Sequence, residues 1–324
     1  MSHAIVLNEN GGPKKLMWQQ IEVPTPASNE VKITHTAIGL NYIDTYIRTG
    51  LYPAPLPCIP GLEAAGIITE IGKNVSGFSI GDRVAYPGGP LGAYSEERII
   101  SSAKLVKIPD TISDENAAAL LLKACTVEFM IRRLFPVNEN HTVLFQAAAG
   151  GVGLLACQWL SHLGATIIGT VSSDEKAALA HANGCTHTVN YRKEDFQQRV
   201  IEITDGAGVD VVYDSVGKDT FMQSLDCLKP CGMMVTYGNT TGPVDPVPPA
   251  LLAQKGSLIL TRPTLMDYIA TNESLTASTN SVFDMISSGV LKPNINQRFA
   301  LKNAADAHRA LEAGQTKGQT ILLP

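Results

Sequence analysis

The chain has 324 residues, more than a single hydrophobic core usually organises, so two domains are expected. Its apolar content of 44% and charged content of 17% are those of an ordinary globular enzyme, and its net charge of −5 argues against a nucleic-acid partner. No apolar run reaches the roughly 18 residues of a membrane span, and the N-terminal residues lack the parts of a signal peptide, so a cytoplasmic protein is expected.

The first ~120 residues are expected to be rich in β-structure. Residues 31–36 alternate β-branched with other side chains, as a strand does. Glycine and proline recur through residues 50–90, which favours a partly open barrel with long loops. A change follows at Ser113, where a cap-like Ser-Asp-Glu precedes a strong helix-forming stretch.

Short apolar runs and helical stretches alternate in the middle of the chain. Strands are predicted at 142–146, 166–171, 187–190, 209–214, 233–238 and 257–261, and helices at 152–163, 174–183, 194–203 and 219–228. This alternation indicates a parallel sheet with helices on both faces, a doubly wound Rossmann domain. The proline-rich segment 238–249 is predicted to be a loop.

The last ~60 residues change pattern again. Helices are predicted at 273–288 and 303–313 and a final strand at 320–323, and this tail is expected to pack on the first domain. The fold class is therefore α/β, with one domain formed by 1–122 and 265–324 and a dinucleotide-binding domain formed by 123–264.

A glycine-rich turn lies between the strand at 142–146 and the following helix, with the sequence QAAAGGVG at 146–153. Gly150 and Gly153 match the second and third glycines of the dinucleotide fingerprint, and Ala148 occupies the first position. The helix N-terminus offers backbone N–H groups and a partial positive charge to a pyrophosphate. The phosphate-binding residues predicted here are Ala149, Gly150, Gly151, Val152 and Gly153. The alternative is a tight turn that serves packing alone.

The end of the second Rossmann strand selects the cofactor. An NAD site normally places a carboxylate there, whereas this strand ends in Ser172 and Ser173, followed by Lys176. Tyr191 can cover the adenine edge. Together these residues predict NADPH rather than NADH, although Asp174 adds a nearby negative charge and Lys176 alone could be a solvated helix lysine.

Further motifs carry a family resemblance. Residues 60–66 read PGLEAAG, and Gly72, Gly77 and the run 81–84 follow. This pattern resembles the medium-chain dehydrogenase/reductase superfamily. With 41–46, 51–53 and 213–217, the chain resembles the zinc-free quinone oxidoreductases related to zeta-crystallin, from Gly11 to the final strand. The resemblance implies a GroES-like, β-rich catalytic domain beside the Rossmann domain.

The chain departs from the zinc alcohol dehydrogenases at the metal positions. Those enzymes place a cysteine in the segment matching Asn41 and Tyr42, and a histidine where Leu62 stands. Residues 85–97 contain no cysteine, so the four-cysteine structural zinc lobe is also missing. Leucine cannot ligate a metal, and a metal-free site is therefore expected.

A metal-free cleft suits hydride acceptors that spread incoming negative charge. A reduced quinone is an aromatic anion, so hydrogen bonds can replace a Lewis acid. The catalytic residues predicted from this demand are Asn41, Tyr46, Tyr52 and Thr126. In the alternative interpretation the two tyrosines anchor the following proline-rich loop and Asn41 caps a turn. Asp44 is expected to be a hydrogen-bond acceptor rather than a base.

The resemblance also implies cofactor contacts outside the glycine turn. They are Asn41, Tyr42, Asp44, Tyr46, Thr126, Ser215, Val216, Gly238, Asn239, Thr240, Thr241 and Arg262. Arg262 could instead mark the turn that leaves the strand at 257–261. Related enzymes pair this edge strand across a two-fold axis, so a homodimer is expected.

The resulting hypothesis is NADPH-dependent reduction of quinones. Two alternatives stay open. One is NADPH-dependent reduction of α,β-unsaturated carbonyls, because hydride addition to an enone gives a delocalised enolate. The other is a non-enzymatic NADPH-binding protein, crystallin-like or RNA-binding, which the acidic charge balance disfavours.

Overall fold

The computed structural model describes residues 2–324 and contains two compact units. Unit 1 comprises the chain up to Thr126, Tyr268–Gly289 and Pro293–Pro324. Unit 2 comprises Val127–Asp267 and Val290–Lys292. The boundaries expected from sequence, 1–122 with 265–324 and 123–264, stay a prediction. Within residues 2–324, no helix combines the length and apolar character needed to cross a membrane.

The helices and strands follow in chain order. The first part contains β1 (Ser2–Leu7), β2 (Leu16–Ile21), β3 (Glu30–Gly39), α1 (Tyr42–Thr49), β4 (Ala64–Ile71), β5 (Arg83–Tyr86), β6 (Glu97–Ser101), β7 (Val106–Lys107) and α2 (Asp114–Glu128). The second contains β8 (Thr142–Phe145), α3 (Gly151–His162), β9 (Thr166–Val171), α4 (Asp174–Ala182), β10 (His187–Asn190), α5 (Phe196–Ile203), β11 (Val209–Asp214), α6 (Phe221–Asp226), β12 (Leu228–Thr236), α7 (Pro249–Gln254), β13 (Ile259–Thr261) and α8 (Leu265–Tyr268). The third contains α9 (Asn272–Ser287), β14 (Ile295–Ala300), α10 (Ala304–Glu312) and β15 (Gln319–Leu323).

The sheet of unit 2 is parallel throughout and has six strands in the order β10-β9-β8-β11-β12-β13. Numbered from β8, this is the 3-2-1-4-5-6 order of the dinucleotide-binding fold, with its switch point between β8 and β11. Every residue of β11 is buried, as expected for a strand covered on both faces. The predicted parallel sheet is confirmed.

Unit 1 contains a seven-stranded sheet, in which β14-β15-β3-β4-β5-β7 run in order and β6 pairs with β3, and a separate hairpin of β1 and β2. Its long strand β3 alternates buried and half-buried residues over most of its length. The buried set, including Ile33, Ile68, Val84 and Leu322, forms one hydrophobic core. The predicted β-rich first part and the return of the C-terminal tail to it are confirmed.

The structure contains α1, α7, α8 and β14, which were not predicted, and the predicted elements differ from the observed ones mainly at their ends. The predicted helix 219–228 begins only at Phe221, because Gly217 has a φ of 94° and the preceding residues form a turn around the Asp214 carboxylate. The predicted strand 233–238 instead spans Leu228–Thr236. The predicted edge strand 257–261 is shortened to Ile259–Thr261, after Ser257 in a left-handed conformation.

Candidate active site

The glycine turn connects β8 to α3 at the carboxyl edge of the unit 2 sheet. Gly150 is the N-cap of α3, and its N–H donates to the Ala147 carbonyl at 2.9 Å. A Cβ on Gly153 would lie 2.4 Å from the Ala147 oxygen and 2.6 Å from the Ala148 oxygen, both backbone atoms that cannot move aside. Only glycine therefore lets the helix start this close to the strand end. The first turn of α3 provides the N–H groups and dipole that favour phosphate.

Ala148 stands where the dinucleotide fingerprint commonly has its first glycine, and the next strand compensates for it. Ala148 is fully buried, and its N–H donates to the Thr170 carbonyl at 3.0 Å. A Cβ on Gly169 of β9 would lie 2.5 Å from the Ala148 Cβ. The missing side chain at Gly169 thus provides the space that the methyl group of Ala148 occupies.

A chain of buried hydrogen bonds supports the turn from below. The Ala147 N–H donates to Thr170 Oγ1 at 3.1 Å, and the Thr170 hydroxyl donates to Gln146 Oε1 at 2.6 Å. The Gln146 amide donates to Ser224 Oγ at 3.0 Å, and the Ser224 hydroxyl donates to Asp214 Oδ2 at 2.9 Å. This chain joins the ends of β9, β8 and β11. It holds Ala147 at a φ of 58°, which alanine rarely adopts.

Two further loops meet at the same edge, after β11 and β12. The Thr240 N–H and hydroxyl both donate to the Ser215 carbonyl, at 3.2 and 3.0 Å. The Thr241 N–H and hydroxyl donate likewise to the Val216 carbonyl, at 2.9 and 3.0 Å. A Cβ on Gly238 would lie 2.4 Å from the Ser215 oxygen. The structure therefore brings together the predicted residues of these two loops, including half-buried Asn239.

The remaining predicted residue of this edge, Arg262, follows β13. Its side chain is exposed and donates to the Thr236 carbonyl at the end of β12 at 2.9 Å. This contact ties the exit of β13 to its neighbour, in keeping with the turn-forming alternative for this residue.

The end of β9 carries the predicted selector of the cofactor. Ser173 caps α4 by accepting the Lys176 N–H at 3.2 Å, and Ser172 is half-buried beside it. Tyr191 directly follows β10 and is 51% exposed. Its N–H donates to the Val171 carbonyl at 3.2 Å, which places it next to Ser172. The four predicted residues therefore do cluster.

The carboxylate of Asp174, next to this cluster, forms hydrogen bonds with a lysine and an asparagine. Its carboxylate accepts from Lys193 Nζ at 2.6 Å and from Asn190 Nδ2 at 3.0 Å. The hydrogen bond and charge of Lys193 lower the pKa of Asp174. The negative charge that the sequence places close to a 2′-phosphate site is thus partly compensated by a lysine 19 residues further on.

The candidate site of unit 1 begins at Asn41, the N-cap of α1. Its amide donates to Glu63 Oε1 at 2.7 Å, and the same oxygen accepts from Lys123 Nζ at 2.8 Å. Thr126 lies one turn after Lys123 on α2, half-buried, and its hydroxyl donates to the Leu122 carbonyl at 2.8 Å. The predicted residues Asn41 and Thr126 are therefore connected through two residues that the prediction did not include.

Three tyrosine rings pack against one another in tilted pairs along and after α1. The ring centroids of Tyr42 and Tyr46 lie 5.4 Å apart, and those of Tyr46 and Tyr52 lie 5.1 Å apart. The Tyr52 N–H donates to the Tyr46 carbonyl at 3.0 Å, which fixes the loop beyond the helix. Tyr46 is buried, whereas Tyr42 and Tyr52 are half-buried. The packing agrees with an anchoring role and leaves the edge of the cluster accessible.

Asp44 ends a buried relay that starts at the surface. Glu312 forms an ion pair with Arg48, and Arg48 also donates to His308 Nδ1 at 3.1 Å. Because Nδ1 accepts, the proton of the neutral imidazole is on Nε2, which lies 3.1 Å from the Tyr94 oxygen. Tyr94 in turn donates to Asp44 Oδ2 at 2.8 Å. Burial lowers the pKa of His308 to about 3, with help from the Arg48 charge, so the imidazole stays neutral.

The carboxyl group of Asp44 is fully buried. It also accepts the Asn41 N–H at 2.9 Å, while its other oxygen, Oδ1, has no hydrogen-bond partner. Burial raises the pKa of Asp44 to about 7. These contacts match the expected role as an acceptor, and its effect on a ligand would act through Asn41 and α1.

The residues present do not fit a catalytic zinc. Leu62 is buried and cannot ligate a metal, and the neighbouring Glu63 is already committed to Asn41 and Lys123. Among residues 2–324, no group of three or more histidine, cysteine, aspartate or glutamate side chains is arranged to hold an ion.

Comparison with known families agrees with this geometry. The alcohol dehydrogenase GroES-like domain matches residues 27–110, and the zinc-binding dehydrogenase domain matches residues 151–287. The expected fold class, a GroES-like β-rich domain with a Rossmann domain, is confirmed. Fold and site together define a medium-chain dehydrogenase/reductase.

Individual relatives narrow this class. A quinone oxidoreductase from Pseudomonas aeruginosa is 50% identical over 325 residues, with full coverage of both chains. The crystal structure of Escherichia coli quinone oxidoreductase complexed with NADPH superposes with a TM-score of 0.98 at 46% identity, covering 99% of this chain and 100% of that one. A 2-haloacrylate reductase from Burkholderia is 42% identical and covers 100% and 99% of the two chains. The chain belongs to the quinone oxidoreductase family.

Proposed function

We propose that this protein reduces quinones with NADPH. The observation that carries the proposal is the combination, in one chain, of a dinucleotide-type glycine turn with a polar site built without metal ligands. Full-length identity of 46–50% to quinone oxidoreductases supports it. The family assignment makes the chain an oxidoreductase, in preference to the purely binding alternative.

The cofactor residues proposed are those of the carboxyl edge of unit 2. The first turn of α3 (Gly151–His162) would hold the pyrophosphate, and Ser172, Ser173 and Lys176 would receive the 2′-phosphate. Hydroxyl and ammonium groups donate to a phosphate, where the carboxylate of an NAD site would repel it. When bound, NADPH supplies the hydride.

The residues proposed to face the quinone are Asn41, Tyr46, Tyr52 and Thr126, and Asn41 is also proposed as part of the cofactor site. The tyrosine hydroxyls donate to the carbonyl oxygen on which negative charge develops, and the ring faces stack on a flat acceptor. No donor beyond the tyrosine hydroxyls is required, because a hydroquinone anion is delocalised over its ring. Solvent protonates the product.

A second candidate function has a specific observation in its favour. The 2-haloacrylate reductase, named for a substrate with a carbon–carbon double bond beside a carboxyl group, is 42% identical over the whole chain. Hydride addition to such a double bond also gives a delocalised anion. Reduction of α,β-unsaturated carbonyls is therefore the alternative.

Tyrosine variants test the proposal. Tyr46→Phe combined with Tyr52→Phe should lower the turnover of NADPH with 1,4-benzoquinone at least about tenfold, because two hydrogen bonds to the developing charge are lost. NADPH oxidation is followed by absorbance, with an enal as the parallel acceptor. Tyr268→Phe, at a half-buried tyrosine outside this group of three rings, is the control. Unchanged turnover would remove both tyrosines from the mechanism, and faster turnover with the enal would favour the alternative.

We also propose a homodimer and a cytoplasmic location. Strand β13 (Ile259–Thr261) is the outer strand of the unit 2 sheet, and Ile259 on it is 49% exposed. A short apolar edge strand with open backbone groups favours pairing with a second copy. Sedimentation of the purified chain tests this, and a monomer at micromolar concentration would contradict it.

A further inference from the structure

Unit 1 contains a buried ion pair that the proposed chemistry does not use. The Glu63 side chain is 0% exposed and the Lys123 side chain is 6% exposed. The two residues are 60 positions apart in sequence, and their charged groups lie 2.8 Å apart. Because a buried ion pair is often no more stable than an apolar replacement, stability alone does not account for it.

The Glu63 carboxylate is held on three sides. Oε1 accepts from both Asn41 Nδ2, at 2.7 Å, and Lys123 Nζ, at 2.8 Å, whereas Oε2 accepts from the Leu122 N–H at 2.8 Å. On the fourth side a Cβ on Gly39 would lie 2.2 Å from Oε1, so glycine keeps the space open. The carboxylate therefore has one position, and Asn41 and Lys123 meet on the same oxygen.

This geometry fixes the orientation of the Asn41 amide. An ionised carboxylate only accepts hydrogen bonds, so the amide nitrogen of Asn41 must face Glu63 and the carbonyl oxygen Oδ1 must face away. That oxygen has two lone pairs, and the capping contact with the Asp44 N–H uses at most one of them. Asn41 thus presents a hydrogen-bond acceptor to a ligand.

We propose that Lys123 is a positioning residue, which through Glu63 holds Asn41 with its carbonyl oxygen toward the nicotinamide riboside half of NADPH. The inference rests on the proposed function, because it takes Asn41 as part of the cofactor site. The groups that Oδ1 would meet are hydrogen-bond donors, either the carboxamide N–H or a ribose hydroxyl. Lys123 itself touches neither cofactor nor acceptor.

Removing the ammonium group should release Asn41. Without Lys123 the fully buried carboxylate of Glu63 loses the charge that compensates it, and it must turn away, take up a proton or collect water. Each of these changes breaks or reverses the hydrogen bond that orients the amide. An uncharged pair would lose less, because the one carbonyl oxygen of a glutamine at 63 can still accept from Asn41 Nδ2, although the hydrogen bond from the Leu122 N–H is then lost.

The test compares two ligands on Lys123→Met. The dissociation constant of NADPH, followed by its fluorescence, should rise about tenfold, the loss of one good hydrogen bond. That of 2′,5′-ADP, which lacks the nicotinamide half, should change less than about twofold. The double variant Lys123→Met with Glu63→Gln should recover part of the NADPH affinity, because only the hydrogen bond to Asn41 is restored. The control is Lys32→Met, which removes the half-buried lysine of another ion pair of unit 1, with Glu70.

Two results would contradict the positioning role of Lys123. A parallel loss of affinity for both ligands, or an NADPH affinity equal to that of the unmodified chain, would overturn the positioning role. If the single variant does not fold, the double variant carries the test, since its remaining loss of affinity should be larger for NADPH than for 2′,5′-ADP. Failure of the unmodified chain to bind NADPH would refute the proposed function instead.

Discussion

Each of the two units contains a fully buried aspartate, and the two aspartates differ in how completely they are hydrogen-bonded. Asp214 in unit 2 is 0% exposed and accepts four hydrogen bonds, two from backbone N–H groups and two from hydroxyls. Asp44 in unit 1 is also 0% exposed, but its Oδ1 has no partner, and burial raises its pKa to about 7. Unit 2 satisfies its buried aspartate with neutral donors, whereas unit 1 leaves one oxygen of its buried aspartate without a partner.

This difference corresponds to the proposed roles. Binding a dinucleotide requires a backbone of fixed shape. The chain of hydrogen bonds from Asp214 to Ala147 fixes the conformation of the glycine turn without an ion pair. Stabilising the negative charge of a reduced quinone requires polar groups in a poorly solvated site, because electrostatic interactions are strong there.

The largest effect is expected from filling the space at the glycine turn. Gly153→Val should abolish measurable NADPH binding and lower the free energy of unfolding by about 3 kcal/mol, because its Cβ would overlap two backbone oxygens. Fluorescence titration and urea unfolding measure the two quantities. Gly12→Ala, at a position with open space and an ordinary φ, is the control. Normal binding by the valine variant would show that the backbone shape of unit 2 is not decisive.

A smaller effect is expected from Asp214→Asn. An amide cannot accept on both sides, so two of the four hydrogen bonds must rearrange, at a cost of about 2 kcal/mol in the free energy of unfolding. NADPH affinity should fall with it, because Ala147 is held through the same chain of hydrogen bonds. Ser288→Ala, an exposed hydroxyl far along the chain from this group, serves as the control. Unchanged stability would mean that the buried chain contributes no net free energy.

The smallest effect is a pH dependence from Asp44. Its pKa is about 7 in the folded state, against an ordinary value of 3.8, so between these values the native state binds a proton that the unfolded chain has released. Stability from this group is therefore present at low pH and lost as pH rises toward 7. Relative to Asp44→Asn, the unmodified chain should lose about 1 kcal/mol of unfolding free energy between pH 6 and pH 7.

Urea unfolding of both proteins at several pH values measures this difference. The neutral His308 contributes equally to both and cancels, although its lowered pKa makes each protein less stable in acid. A constant difference across pH would show that Asp44 is not protonated in the folded chain, and the contrast between the two units would then fail.

Much of the fold followed from the sequence, because strand and helix periodicity is local. The strands at 166–171, 187–190 and 209–214 have the predicted bounds. Gly150 and Gly153 were recognisable from spacing alone. The hydrogen-bonded support of the turn was not, since Gln146 and Thr170 lie at predicted strand ends with nothing local to distinguish them from core polar residues.

The site of unit 1 was predicted in part, for a similar reason. Glu63 was visible within a glycine-rich motif, yet its partner Lys123 lies on a helix 60 residues away. A lone lysine in an otherwise apolar helix segment, 120–125, is the signal that could have found it, because an unpaired charge there would be costly. Pairings over such separations depend on topology, which periodicity does not supply.

The contact between Ala148 and Gly169 limits how the cofactor turn can vary. A side chain at 169 would collide with both the Ala148 methyl group and Cys185 Sγ, at 2.5 and 2.7 Å. A glycine at position 148 would leave a void beside Gly169. A larger residue at position 169 would require smaller side chains at both 148 and 185. Anyone redesigning this enzyme for another nucleotide should exchange these three positions as one cassette.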